Sequence, residues 1–171
     1  MSFNANIQRY QSTLEENIVT SVLEKENFEI SNESNVSNNE NRNIIKNEWQ
    51  IKIPKINLKA DIAEGTETEI LNEFVGHFVE TPKDVGNIVL AAHNRGYNVN
   101  YFENLKELEI GDEIYYTYNN LTRTYQISLI TIIKDTDWNN LRNTNDNRIT
   151  LITCVENEPE YRRCLQAIEV K

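Results

Sequence analysis

A thiol, an imidazole and a guanidinium together make a nucleophilic site, and this sequence places all three at the ends of apolar runs. Cys154 closes Ile149-Thr150-Leu151-Ile152-Thr153, and His93 closes Ile88-Val89-Leu90-Ala91-Ala92. Arg162 and Arg163 follow Cys154 within ten positions and open the run Cys164-Leu165-Gln166-Ala167-Ile168-Glu169-Val170. A lone cysteine reads as a small buried apolar residue. In this company Cys154 reads as a nucleophile. A free thiol is only about 3% ionised at pH 7, so a neighbouring cation is needed, and a protonated His93 or an arginine supplies one. A bell-shaped pH dependence of kcat/KM follows from a thiolate that must form and an imidazolium that must persist.

The elements that position these groups are strands. β-branched and aliphatic residues fill each run, and the polar, proline-containing stretch Val155 to Glu160 stops the cysteine strand and opens a loop. The run beginning at the arginines can return antiparallel, and strand alternation then sends Arg162 and Arg163 to opposite faces. Upstream, Trp49, Ile51 and Ile53 alternate, Pro54 interrupts, and Ile56, Leu58 and Ile62 continue, which predicts two short strands. Thr66 and Glu69 resemble a capping box for a helix over 67–74. Tyr101 to Leu108 predicts a helical turn or two. Ile114 to Tyr118 and Thr124 to Lys134 read as a hairpin about Asn119-Asn120, with Tyr125, Ile127, Leu129 and Thr131 on one face. Short strands, tight turns and few helices predict a mainly β fold, a closed or nearly closed barrel over residues 49–171. Before it, Phe3, Ile7, Tyr10, Leu14, Ile18 and Val22 predict an amphipathic helix over 1–26, and the Asn, Ser and Glu of 27–48 a linker.

Composition removes several function classes. A net charge of −10, from 17 basic and 27 acidic residues, argues against nucleic acid, which needs a basic face. No stretch reaches the roughly 18 apolar residues of a membrane span, so a soluble chain is expected. Two cysteines make no disulfide framework, and two histidines without Cys-x-x-Cys spacing argue against structural zinc. The order histidine then cysteine excludes papain-like proteases, and no Gln-Ala-Cys context points to caspases. A non-catalytic surface module that binds peptides in a barrel groove remains the competing reading. An alkylating reagent that fails to reach the thiol would favour it.

Thr150-Leu151-Ile152-Thr153-Cys154 resembles the Thr-Leu-x-Thr-Cys signature of sortases, the cysteine transpeptidases of Gram-positive cell surfaces. Leu90-Ala91-Ala92-His93 is similar to their histidine strand, and Ile53-Pro54-Lys55-Ile56-Asn57-Leu58 to their opening pattern. The resemblance runs from about Trp49 to Lys171. It implies an eight-stranded β-barrel with an N-terminal helical extension and a thioacyl intermediate on Cys154. It implies that His93 protonates the leaving amine and deprotonates the incoming one, and that an arginine stabilises each oxyanion. Sortases place that arginine five residues before a small residue of the last strand, which selects Arg162 over Arg163, ahead of Ala167. Arg163 should then point to solvent or pair with an acid such as Glu160.

The implied partners are a Leu-Pro-x-Thr-Gly-like sorting signal and an amine of the cell wall, such as a peptidoglycan precursor. The implied location is the outer face of the cell membrane, held by an anchor helix that these residues lack. Thr153, Asn94 and Trp138 are candidate substrate contacts, the last two in the polar loops 94–100 and 135–148 that should flank the groove. His77 is expected to be structural. Asp112, Glu113, Glu64, Glu67, Glu69 and Glu73 raise calcium, which some class A sortases bind. Without EF-hand-like spacing they read as a solvated acidic face, so no metal and no cofactor is expected. Residues 27–48 contain no proline for a class C lid, and 135–148 is too short for the helix of class B. The pattern is closest to class D, with a pilin-polymerising enzyme as the alternative.

Overall fold

A computed structural model describes residues 48–171. The helix expected over 1–26 and, apart from Glu48, the linker over 27–48 lie outside the described residues. The barrel strands are β1 (Trp49–Ile53), β2 (Leu58–Glu64), β3 (Val75–His77), β4 (Asn87–Ala91), β5 (Glu113–Tyr118), β6 (Leu121–Lys134), β7 (Arg148–Val155) and β8 (Glu158–Val170). They close in the order β1-β2-β3-β4-β7-β8-β6-β5. Pairs β2–β3 and β4–β7 are parallel, and the remainder antiparallel. The mainly β, closed barrel expected from the pattern is what forms, with the eight strands that the family resemblance implied.

Alternation explains which side chains fill it. Ile51 and Ile53 of β1, Ile88 and Leu90 of β4, Ile149 and Leu151 of β7 and Leu165 and Ala167 of β8 point inward and form one core with Tyr116 and Tyr125. On β6 the expected single face does not persist. Ile127 pairs with Ala167 and Leu129 with Gln166, so Ser128 is an extra residue and the strand bulges. Tyr125 and Ile127 face the core before the bulge, Ile130 packs against it afterwards, and Leu129 turns outward.

The short helices are shorter than expected. Helix α1 covers only Thr68–Leu71, and its N-cap is Glu67 without a side-chain cap bond, so the Thr66–Glu69 capping box does not form. Between β4 and β5 the regular element is one 3-10 turn, Leu105–Glu107. The Asn119-Asn120 turn is as expected: both residues have positive φ, 49° and 65°, the left-handed pair that matches the twist of a two-residue hairpin and that asparagine tolerates.

One buried polar network ties the β6–β7 connection to the barrel. Asn87 is fully buried and donates from Nδ2 to the carbonyls of Asn140 and Arg142, both at 2.9 Å. Its Oδ1 accepts from Thr150 Oγ1 at 2.7 Å, and Gln166 Nε2 donates to the Asn140 carbonyl at 3.1 Å. A buried group left without its partner costs about 1–3 kcal/mol. Asn87→Ala is therefore expected to destabilise the barrel by about 3 kcal/mol and to speed amide exchange within 138–143. Chemical denaturation and hydrogen exchange check both, and unchanged exchange there would mean that the connection is held by something else.

Candidate active site

The site is built where β4 runs parallel beside β7. Ala91 lies opposite Ile152, which carries the residues after β4 alongside the end of the cysteine strand. Two side-chain bonds fasten that junction: Thr153 Oγ1 donates to the Ala92 carbonyl at 2.8 Å, and Asn94 Nδ2 donates to the Cys154 carbonyl at 2.7 Å. His93 therefore leaves its strand directly beside the residue that bears the thiol. Cys154 itself is exposed, whereas Cys164 is fully buried in β8, where burial pushes its thiol up to about 12. The second cysteine is a packed core group, as expected.

β7 and β8 form the expected antiparallel hairpin, but it is tighter than a loop from Val155 to Glu160. The turn is Glu156-Asn157, with Asn157 at φ 61°. The register then breaks: Val155 pairs with Glu158 and Cys154 with Arg162, so Pro159, Glu160 and Tyr161 form a bulge on β8. That irregularity accommodates a proline inside a strand. It also places carbonyls within reach of Arg162, whose Nη1 donates to Pro159 and Tyr161 oxygens at 2.7 and 2.8 Å. Arg162 Nη2 lies 3.9 Å from Asp135 Oδ2, and the side chain is only 12% exposed.

Directly paired residues share a face, so Cys154 and Arg162 project to the same side of the sheet. Thr150 and Gln166, further down that face, are covered by the β6–β7 connection, which carries Trp138 at 40% exposure. Arg163 pairs with Thr153 and projects to the other side. It does not simply point to solvent: it is half-buried and lines a cavity of about 240 Å³ together with Cys154, Asn94, Arg95, Phe102 and Glu156. Trp138 is not among that cavity's walls. The two polar loops thus approach Cys154 from opposite sides, the 94–100 loop by the cavity and the 135–147 connection by Arg162.

His93 is half-buried, and burial lowers its pKa below the ordinary 6.5. A neutral imidazole is therefore the resting form at neutral pH, and the imidazolium invoked from the sequence is the minor one. The effect on stability has a definite sign. Below pH 6.5 the unfolded chain takes up a proton that the folded one resists, so stability is present above that pH and is lost as pH falls. His93→Gln is expected to flatten the pH dependence of stability just below 6.5 relative to the parent. Urea midpoints across pH 5–7.5 measure this, and equal slopes for the two proteins would refute it.

His77 does end a strand, β3, contrary to the sequence reading, yet it is fully buried and enclosed. Its Nδ1 lies 3.3 Å from Glu64 Oε1, and its Nε2 lies 3.1 Å from both Pro82 O and Thr81 Oγ1. Three of the six acids considered for calcium are engaged separately: Lys83 pairs with Glu64, Lys55 with Asp112, and Tyr115 donates to Glu113. Among the described residues no group of three or more His, Cys, Asp or Glu is placed to hold a metal ion.

Sequence reasoning missed two features around His93. Tyr97 stacks flat on the imidazole, and Arg95 reaches across to Glu156 at 2.9 Å and to Asn157 Oδ1 at 3.4 Å. Both reside in the loop expected to lie near the chemistry, but stacking within an irregular loop leaves no periodic signal.

A family model described as the sortase domain matches residues 51–168, which include His93, Cys154 and Arg162. The chain belongs to the sortase family. Sortase A of Staphylococcus aureus is 36% identical over 131 residues, 71% of this chain and 64% of that protein. Sortase D of Bacillus subtilis is 34% identical over 89 residues, 51% of this chain and 43% of that protein. The chain thus spans less than two thirds of the length of either relative. Among solved structures, sortase C-1 from Actinomyces oris superposes with a TM-score of 0.69 at 30% identity, covering 72% of this chain and 73% of that one. A lid mutant of sortase A from Corynebacterium diphtheriae gives 0.68 at 29% identity, covering 72% and 70%. Sortases of classes A, C and D all appear among these relatives.

Proposed function

We propose that this chain is a cysteine transpeptidase that cleaves a Leu-Pro-x-Thr-Gly-like sorting signal through a thioacyl intermediate on Cys154 and passes the acyl group to an amine of the cell wall. The observation that carries the reading is the register opposing Cys154 and Arg162 on one face of β7 and β8, with His93 leaving β4 beside them. Neutral His93 takes the thiol proton as sulfur attacks the scissile carbonyl, and returns it to the leaving amine. The Arg162 guanidinium faces the oxyanion that forms at the same carbon. An incoming amine then gives its proton to His93 and attacks the thioester carbonyl. The new amide forms as the carbon–sulfur bond breaks, and the departing sulfur takes the proton back from His93, which regenerates the Cys154 thiol and the neutral imidazole.

Asn94 holds the nucleophile's backbone carbonyl and Thr153 ties the cysteine strand to the Ala92 carbonyl next to His93, so their contribution is to position the two catalytic groups. Trp138 is the proposed contact on the Arg162 side. Side chains alone carry these steps, and we assign no metal or cofactor. Among the described residues no helix is long and apolar enough to cross a membrane. Location at the cell surface, with an anchor outside these residues, is part of the same proposal.

A class D-like assignment is supported by the likeness to sortase D of Bacillus subtilis and by the short β6–β7 connection, whose regular element is a single 3-10 turn, Asn139–Leu141. The deciding experiment is mass spectrometry of the protein after incubation with a library of Leu-Pro-x-Thr-like peptides. An acyl adduct on Cys154 that an added amine discharges is the expected result. A library that binds without acylating Cys154 would favour the peptide-binding module instead.

A further inference from the structure

We propose that Tyr97 is a positioning residue for His93: its phenol ring fixes the imidazole plane and keeps it dry, and so sets the pH range over which that imidazole moves protons. The inference rests on His93 being the acid and base of the reaction above. The two rings are stacked face to face, with centroids 3.5 Å apart and planes 6° from parallel.

His93 does not place Tyr97; the loop does. Phe102 N–H donates to the His93 carbonyl at 3.0 Å and closes the loop's base. Arg95 is tied to Glu156 and Asn157 on the β7–β8 turn. Gly96 follows at φ 79°, a left-handed conformation that turns the chain back and that a side chain would strain. Asn100 then clamps Tyr97 from both sides, accepting from its N–H at 3.3 Å and donating to its carbonyl at 2.7 Å. The phenol is delivered onto the imidazole by five hydrogen bonds that do not involve the imidazole ring.

The stack has a consequence at the ring nitrogens. His93 Nε2 is buried and has no hydrogen-bond partner among the described residues. A buried polar atom without a partner is costly and asks for an explanation. A proton-transfer group held ready for a substrate that supplies the missing bond is one. The titratable and charged groups carried by the elements around this junction are Cys154 on β7, Arg162 and Arg163 on opposite faces of β8, and the Arg95–Glu156 pair at the loop mouth. Burial, and none of these charges, is what lowers the His93 pKa. Tyr97 covers one full face of the ring, and being 48% exposed itself, it can be truncated without opening the core.

The test follows the His93 ring resonances by NMR from pH 4 to 9, alongside the pH profile of kcat/KM with a sorting-signal peptide. Tyr97→Ala admits water, so the His93 pKa should rise toward the ordinary 6.5, and the limb of the profile set by His93 should rise with it. Tyr97→Phe keeps the stack and should leave both unchanged. Asn100→Ala should move both in the same direction by less. An unchanged titration in Tyr97→Ala overturns the proposal. So does a fall, which would mean that the phenol face stabilises the imidazolium more than it excludes water. If the titration moves and the kinetic profile does not, His93 is not the proton-transfer group, and the positioning role falls while the thioacyl chemistry on Cys154 stands.

Discussion

Cys154→Ala is expected to abolish both peptide cleavage and amine transfer while the barrel stays folded. The two halves of that expectation have separate physical causes. Losing the nucleophile removes the thioester and with it every later step, and the loss of such a group is characteristically of order 10⁶ in kcat. The fold survives because Cys154 is exposed at a strand end, so truncating it leaves no cavity. Its backbone bonds, the pairing with Arg162 and the Asn94 bond to its carbonyl, do not depend on the side chain. Cys164→Ala should behave in the opposite way. That thiol is fully buried within β8 opposite Ile152, so its removal should cost about 1 kcal/mol of stability and little activity. Turnover by Cys154→Ala comparable to the parent would end the catalytic assignment, and the free thiol count under native alkylation would then show what Cys154 does instead.

How much of this was legible follows from where the signal lies. Strands that bury one face announce themselves by alternation, and Ile51, Ile53, Ile149 and Leu151 carry it cleanly because each lies in an unbroken ladder. Alternation fails at bulges. The extra residue Ser128 turned Leu129 outward, and nothing in Ile127-Ser128-Leu129-Ile130 distinguishes it from a regular strand. The short helices were overestimated for a related reason: Glu69 and Ile70 suit a helix, but Gly76 packs so close to the Gly65 carbonyl that β3 must start almost at once. Asparagine turns were readable where two adjacent asparagines flank strands, and less so at Glu156-Asn157, where Pro159 suggested a longer loop.

For the candidate site, cysteine, histidine and the two arginines stood out because each ends or opens an apolar run. What stayed hidden were contacts between elements distant in sequence: Asn87 holding the β6–β7 connection, Tyr97 over His93, and Arg163 in the cavity beside Cys154. A side chain in an irregular loop has no period, and its partner is set by barrel closure, not by its neighbours in sequence.

The two arginines give the sharper of the kinetic tests, because both approach the cysteine strand and only the face decides between them. Arg162 is directly opposite Cys154, and paired residues on one face have Cβ atoms about 5 Å apart. The ladder from Arg148 through Cys154 against Ile168 through Arg162 is unbroken, and the bulge begins only beyond it. The register shift that would have exchanged the arginines is therefore downstream of the pair. Arg162 is also the more constrained of the two, held by the Pro159 and Tyr161 carbonyls and near Asp135. Such restraint suits a donor that must already be in place when charge develops. Arg162→Ala is expected to lower kcat/KM by two or more orders of magnitude, about 3 kcal/mol, with the loss mainly in kcat. Arg163→Ala, whose side chain lies across the strand on the Thr153 face, should lose less than tenfold. Arg162→Lys separates charge from shape: a lysine keeps the cation but not the planar fork, so most of the loss should persist. If Arg163→Ala proves the more damaging, the oxyanion forms on the cavity side of β7, and the peptide enters between Asn94 and Phe102 and not beneath Trp138.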